Sequence, residues 1–234
     1  YRRQRQMCIR DRSIAGANTV LNATVADVLQ TMADKLEKAD DFDKAVDEVI
    51  YETLKAHRKV IFNGNGYSDE WIAEAERRGL PNVKTMVDAT ASLYDPKTIE
   101  MFERQHVFNK TELESRAEIN YEAYAKAINI EAKTMIEMAS KQYIPAVISY
   151  VTSLADSINS ISAACAEADL SVQKDLLTKC SSLLAEAQKA LNDLVAADAK
   201  ANSMEEGKEQ AEFFKDTVFT TVSYTHLTLP TIRL

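Results

Sequence analysis

Apolar residues recur at every third or fourth position through most of the chain, with polar and charged residues between them. This is the period of amphipathic helices, not the two-residue alternation of strands. The first such run carries Val20, Leu21, Val25, Val28, Leu29, Met32 and Leu36 behind Asn18-Thr19. Asn is a favoured N-cap because its side-chain oxygen accepts a free backbone N–H, so the run predicts a helix from Asn18 to about Lys38. Asp40-Asp41-Phe42-Asp43 breaks the period and opens a second helix with Ala45, Val46, Val49, Ile50 and Leu54 inward. His57-Arg58-Lys59 ends it, where cations suit the helix dipole, and the two helices read as a hairpin.

Beyond Val60-Ile61-Phe62, the run Asn63-Gly64-Asn65-Gly66 tolerates positive φ and predicts a sharp turn. Ser68-Asp69-Glu70 starts the next helix before Trp71, and Gly79, with Pro81 beyond it, stops it. A short loop-and-helix region leads through Asp95-Pro96. Thr111-Glu112-Leu113-Glu114 then fits a capping box and opens the longest helix. Leu113, Ala117, Tyr121, Tyr124, Ile128, Ala132, Met135 and Ala139 make one stripe along it. Pro145 kinks or interrupts the run, and Val147, Ile148, Val151, Leu154, Ile158 and Ile161 continue it to about Ala164. Asp169 to Ser171 makes a turn, and Ser171 is placed to cap a return helix with Leu176, Cys180, Leu183, Ala187, Leu191 and Leu194. These long arms are expected to pack antiparallel, followed by a shorter helix near residues 205–215.

Composition agrees with an all-α class. The 234 residues suffice for one large or two ordinary domains and hold few breakers, five Gly and four Pro. Both ends depart from the helical pattern. Residues 1–12 hold five Arg and one Asp without apolar period, and residues 222–234 are β-branched, Thr-rich and free of acid. Both are similar to translated sequencing-adapter read-through and are expected to be foreign to the natural chain. The division read from the sequence is therefore 1–12, then 13–106, then a helical extension 107–221, then 222–234.

Leaving out the two ends takes the net charge from −8 to −13, from 28 less 6 basic and 36 less 1 acidic residues. Nucleic acid and anionic membranes are not expected as partners of so acidic a chain. No stretch of about 18 apolar residues suggests a membrane span. The three cysteines, Cys8, Cys165 and Cys180, form no CxxC or Cys/His ligand pattern, which fits a reducing cytoplasm.

Candidate chemistry is sparse. His57 and His106 lack a second His or Cys at metal spacing, and His226 lies in the tail. The Gly64-Gly66 loop ahead of a helix invites a phosphate-cradle reading. It lacks the P-loop Lys-Ser/Thr, and Asp69 and Glu70 fill the first helical turn where a phosphate would sit. Tyr121, Tyr124, Tyr143 and Tyr150 with Met135 and Met138 read as core, and Cys165 and Cys180 as buried thiols rather than a bridge. Glu137 with Lys141 is the ordinary ion pair of a solvated helix face. No residue is assigned as catalytic, cofactor-binding or metal-binding.

Three long stretches carry a resemblance: Ser13-Ile14-Ala15-Gly16-Ala17-Asn18-Thr19-Val20-Leu21-Asn22, the run from Arg58 through Phe62-Asn63-Gly64-Asn65-Gly66-Tyr67-Ser68 to Trp71, and the run from Ala73 through Arg77-Arg78-Gly79-Leu80-Pro81 to Asn82. With Glu112-Leu113-Glu114-Ser115-Arg116, Lys126 to Ala132 and Ile144-Pro145-Ala146-Val147, they make residues 13–165 similar to type III glutamine synthetases. Gly16-Ala17-Asn18-Thr19 stands where that family has Gly-Pro-Asn-Thr. The resemblance implies a parent enzyme that joins ammonia to glutamate with ATP and Mg, by phosphorylating the γ-carboxylate. It also implies that the metal-binding glutamates, nucleotide loop and glutamate-binding arginines lie upstream of Ser13. The chain would then be the C-terminal end of a catalytic domain plus its helical extension. Its partners would be the rest of its own catalytic domain and neighbouring subunits of a homo-oligomer, and it would not catalyse alone or bind ATP or Mg itself. The other reading is a free-standing helical interaction or scaffold protein.

Overall fold

Helices and turns, without a strand, make up residues 13–221, the part of the chain that the computed structural model describes. The two terminal segments read as foreign lie outside it. Helix α1 spans Ala15–Glu37 and α2 Phe42–Ala56. The first starts ahead of Asn18, whose N–H already donates to the Ile14 carbonyl at 3.0 Å. Asn18 is therefore not the cap. Ala15 and Ala17 are strong helix formers, and the Ser13 hydroxyl takes the Ala15 N–H at 3.2 Å. The Asp41 carboxylate caps α2 by accepting the Lys44 N–H at 3.1 Å, and Lys35 pairs with Glu52 at 2.9 Å across the hairpin.

A 3-10 turn, Arg58–Val60, leads to α3, Asp69–Arg77, which Ser68 caps as predicted by accepting the Trp71 N–H. Gly79 ends it at φ 68°, a backbone conformation in which glycine is least strained. Helix α4, Met86–Thr90, and a 3-10 turn, Ala91–Tyr94, precede α5, Pro96–Arg104, with Asp95 as its cap. His106, at φ 53°, follows it.

Helix α6, Lys110–Met138, opens on a reciprocal capping box two residues earlier than expected. The Asn109 carboxamide accepts the Glu112 N–H and the Glu112 carboxylate accepts the Asn109 N–H, both at 2.9 Å. Asn109-x-x-Glu112 and Thr111-x-x-Glu114 have the same spacing. Asn outranks Thr as an N-cap, and its site lies nearer the preceding turn.

The chain contacts divide it into two compact units between Ala117 and Glu118. In the first, Ala23, Phe102 and Leu113 are buried together, with Val20, Ile99, Met101 and Phe108 packed on them. The Asp27 carboxylate accepts both Arg104 Nε at 2.8 Å and Nη2 at 2.9 Å, joining α1 to α5. These hydrogen bonds hold the Asp27 carboxyl below its ordinary range.

The hairpin departs from expectation on its outer side. Val20, Met32, Leu36, Ala45, Val46 and Val49 are half-buried, but Leu21, Val25, Val28, Leu29, Ile50 and Leu54 face solvent, Leu21 at 61% and Leu29 at 59% exposure. A hydrophobic period marks a face that gains from being covered, and it does not say by what. No described element covers this one.

In the second unit, the Ile144 N–H reaches back five residues to the Ala139 carbonyl, making a π-turn over Ala139–Tyr143 ahead of α7, Ile144–Ala164. Pro145 is the cause, since it brings no N–H and its ring crowds the preceding turn. Helix α8, Ser171–Asn202, runs 32 residues, about 48 Å at 1.5 Å per residue, and packs on α7. Its first amide is taken by the Asp169 carboxylate at 2.9 Å, so Asp169 and not Ser171 supplies the cap. Helix α9, Lys208–Phe213, and a π-turn, Phe214–Val218, close a core of Ala125, Ile128, Ala132, Leu194, Ala201, Phe214 and Val218.

Candidate functional site

The segment from the end of α2 to the end of α3 carries the densest set of specific contacts in the first unit. Asn65 Oδ1 accepts the Tyr67 N–H at 3.1 Å, and the Ser68 hydroxyl donates to the Asn65 carbonyl at 2.9 Å. The turn is thus built from Asn and Ser side chains bonding their own backbone. The Phe62 ring stacks on Trp71 with centroids 4.2 Å apart, and a Cβ on Gly64 would lie 2.7 Å from that ring. Glycine at 64 permits this close approach of the Phe62 ring edge and does not serve a positive φ as the sequence suggested.

Arg78 ties the segment together. Its guanidinium lies 5.5 Å from the Trp71 ring, and one nitrogen donates to the Lys59 carbonyl at 3.1 Å and the Ile61 carbonyl at 2.9 Å. Its Nε donates to Glu74 at 2.5 Å, while Arg77 grips the same carboxylate through two nitrogens, both at 2.6 Å. The Arg77 bonds first, and the Arg78 bond next, pull the Glu74 carboxyl down to about 2.

Lys55, Arg58, Lys59, Arg77 and Arg78 line a cleft here of about 720 Å³, with Ile61 in its wall. Such a cluster can hold negative charge; it includes no nucleophile–base pair. Sequence reasoning passed it over as a helix end. The signal was available in Lys55-Ala56-His57-Arg58-Lys59 and Arg77-Arg78, two basic runs in an acidic interior.

The other candidates fall apart spatially. His57 is exposed just after α2, and His106 is exposed just after α5. Among the described residues no group of three or more His, Cys, Asp or Glu is placed to hold a metal ion, and no helix is long and apolar enough to cross a membrane. Cys180 is buried, as read, but Cys165 is exposed because it ends α7 at the turn, and neither is bridged. Tyr121 is buried, Tyr124 and Met135 pack on the second core, and Met138 is half-buried, whereas Tyr143 and Tyr150 are exposed. Glu137 and Lys141 form their pair at 2.9 Å. Asp198 leaves one buried carboxylate oxygen without a hydrogen-bond partner.

Comparison with known proteins fits the motifs around this segment. Residues 45–162 match the model of the glutamine synthetase C-terminal domain. A glutamine synthetase of Butyrivibrio fibrisolvens is 40% identical over 183 residues, 76% of this chain and 26% of that protein. A type-3 glutamine synthetase of Dictyostelium discoideum is 35% identical over 145 residues, 61% of this chain and 20% of that protein. A glutamine synthetase of Bacteroides fragilis is 29% identical over 212 residues, 87% of this chain and 29% of that protein. The chain thus spans between a fifth and a third of the length of these curated relatives. With more than half of its residues in the family match and an all-helical fold, the chain belongs to the glutamine synthetase C-terminal domain family.

Proposed function

We propose that the chain is the C-terminal helical part of a type III glutamine synthetase, working within a longer enzyme that joins ammonia to glutamate at the cost of ATP. The family match over residues 45–162 carries this reading. The apolar stripe of α1, Leu21, Val25, Val28 and Leu29, is then the face that packs on the remainder of the synthetase. Covering it would release apolar surface from water at about 25 cal/mol per Å². The helices of the second unit support subunit contacts in a homo-oligomer, and the setting is the cytoplasm.

ATP and Mg belong to the parent enzyme on this reading. Mg has no ready place at the cleft by Lys55 and Arg58, which is basic and repels a cation and whose Glu74 carboxylate is held by arginine. The purified chain is therefore expected to form no glutamine from glutamate, ammonia and ATP. Phosphate release that depends on both glutamate and ammonia would overturn this assignment.

A further inference from the structure

We propose that the basic cleft between the ends of α2 and α3 binds a small anion carrying two or more phosphate groups, independently of any catalytic role of the parent enzyme.

Five cations line the cleft, and two effects oppose them. The Glu74 carboxylate neutralises one charge, gripped by Arg77 and Arg78. The C-termini of α2 and α3 each present about half a negative charge, together about one more. About three positive charges remain, so stabilising the helix ends does not account for the whole cluster. Lys55, with its ammonium over the Tyr51 ring, and Arg58 and Lys59, both exposed, are the residues with charge to spare.

The backbone that carries two of these cations is also held in place. Arg78 fastens the carbonyls of Lys59 and Ile61 to the end of α3, so Arg58 and Lys59 project from an ordered turn and not from a swinging loop. Guanidinium and ammonium donors grouped around one open cleft favour phosphate oxygens, which accept several charge-assisted hydrogen bonds at once. The volume, about 720 Å³, is within the range of small-molecule sites. The phosphate cradle suggested by the Gly64-Gly66 loop is a different place: it would use the amides at the start of α3, where Asp69 and Glu70 stand, whereas this cleft lies at the helix's other end.

Trp71 is the chain's one tryptophan and lies beneath Arg78, so its fluorescence reports on this cleft. The full chain is titrated with inorganic tripolyphosphate and, separately, with citrate in the same buffer. The expected result is a saturable Trp71 response to tripolyphosphate that weakens at higher salt. Arg58→Gln with Lys59→Gln should weaken it about tenfold or more, the loss of at least one charge-assisted contact. Lys141→Gln, a charge change in the second unit, should leave it unaltered, and far-UV circular dichroism should match for all three proteins. No Trp71 response to tripolyphosphate, an equal response to citrate, or a response unchanged in the double variant would each overturn the proposal.

Discussion

Residues 118–221 and residues 15–56 carry apolar stripes of the same helical spacing, and the two meet different fates. Along α6 the stripe from Tyr121 to Ala139 is buried or half-buried, because α8 and the Phe214–Val218 turn bring Leu194, Ala201, Phe214 and Val218 against it. Along α1, Leu21, Val25, Val28 and Leu29 step by four, three and one and stay in water. Helix α2 covers a different side, that of Met32 and Leu36, and α5 covers the side of Ala23. The second unit supplies its own partner surface, and the first has one helix face more than it can bury.

The same substitution in both units tests this contrast most strongly. Leu194→Ala, in a fully buried position, should cost about 2–5 kcal/mol, from lost burial and the cavity left behind. Leu29→Ala should change the stability of the chain by less than about 0.5 kcal/mol. Urea denaturation followed by circular dichroism reads both, and equal losses would break the comparison.

A smaller effect probes the Phe62–Trp71 stack of the first unit. Gly64→Ala puts a methyl 2.7 Å from the Phe62 ring, which must slide off Trp71. A loss of about 1–3 kcal/mol is expected, as for overpacked sites, with a red shift of Trp71 emission. An unshifted spectrum would mean that the stack does not depend on glycine here.

Asn109→Ala should cost about 1 kcal/mol through loss of the α6 cap, while Thr111→Ala should cost less than half of that. Thermal denaturation of the two variants distinguishes the caps.

The last effect is confined to the surface. The Glu74 carboxyl is depressed from 4.5 to about 2, so its ion pairs with Arg77 and Arg78 stabilise the fold fully above about pH 4.5 and fade as pH falls towards 2. The melting temperatures of the parent chain and Glu74→Gln should accordingly differ at pH 6 and converge towards pH 2.5. A gap that widens on acidification would contradict this sign.

Much of this was legible in the residue pattern. The α6 stripe, the Ser68 cap, the Gly79 stop and the break ahead of Pro145 all follow from local rules, since each depends on neighbours within one or two turns. The caps at Asn18, Thr111 and Ser171 were misplaced because a second acceptor, Ser13, Asn109 or Asp169, stood within a few residues. Local spacing does not rank two adequate caps. Burial of Ile50 and Leu54 was misread for another reason: amphipathicity specifies a face, while its partner comes from contacts distant in sequence. The basic cleft was missed because its two halves, Lys55 to Lys59 and Arg77-Arg78, meet only through the turn that Arg78 fastens.

The central claim, that the outer face of α1 is an internal surface of a larger synthetase, is tested most directly by hydrogen exchange. Residues 13–221 would be placed in the Butyrivibrio fibrisolvens synthetase in exchange for its matching segment, and amide exchange compared with that of the free chain. The account predicts that α1 and α2 amides exchange at least ~10-fold more slowly in the chimera, while those of α6 and α8 facing the second core are protected in both. Equal exchange of α1 and α2 in the two proteins would contradict it.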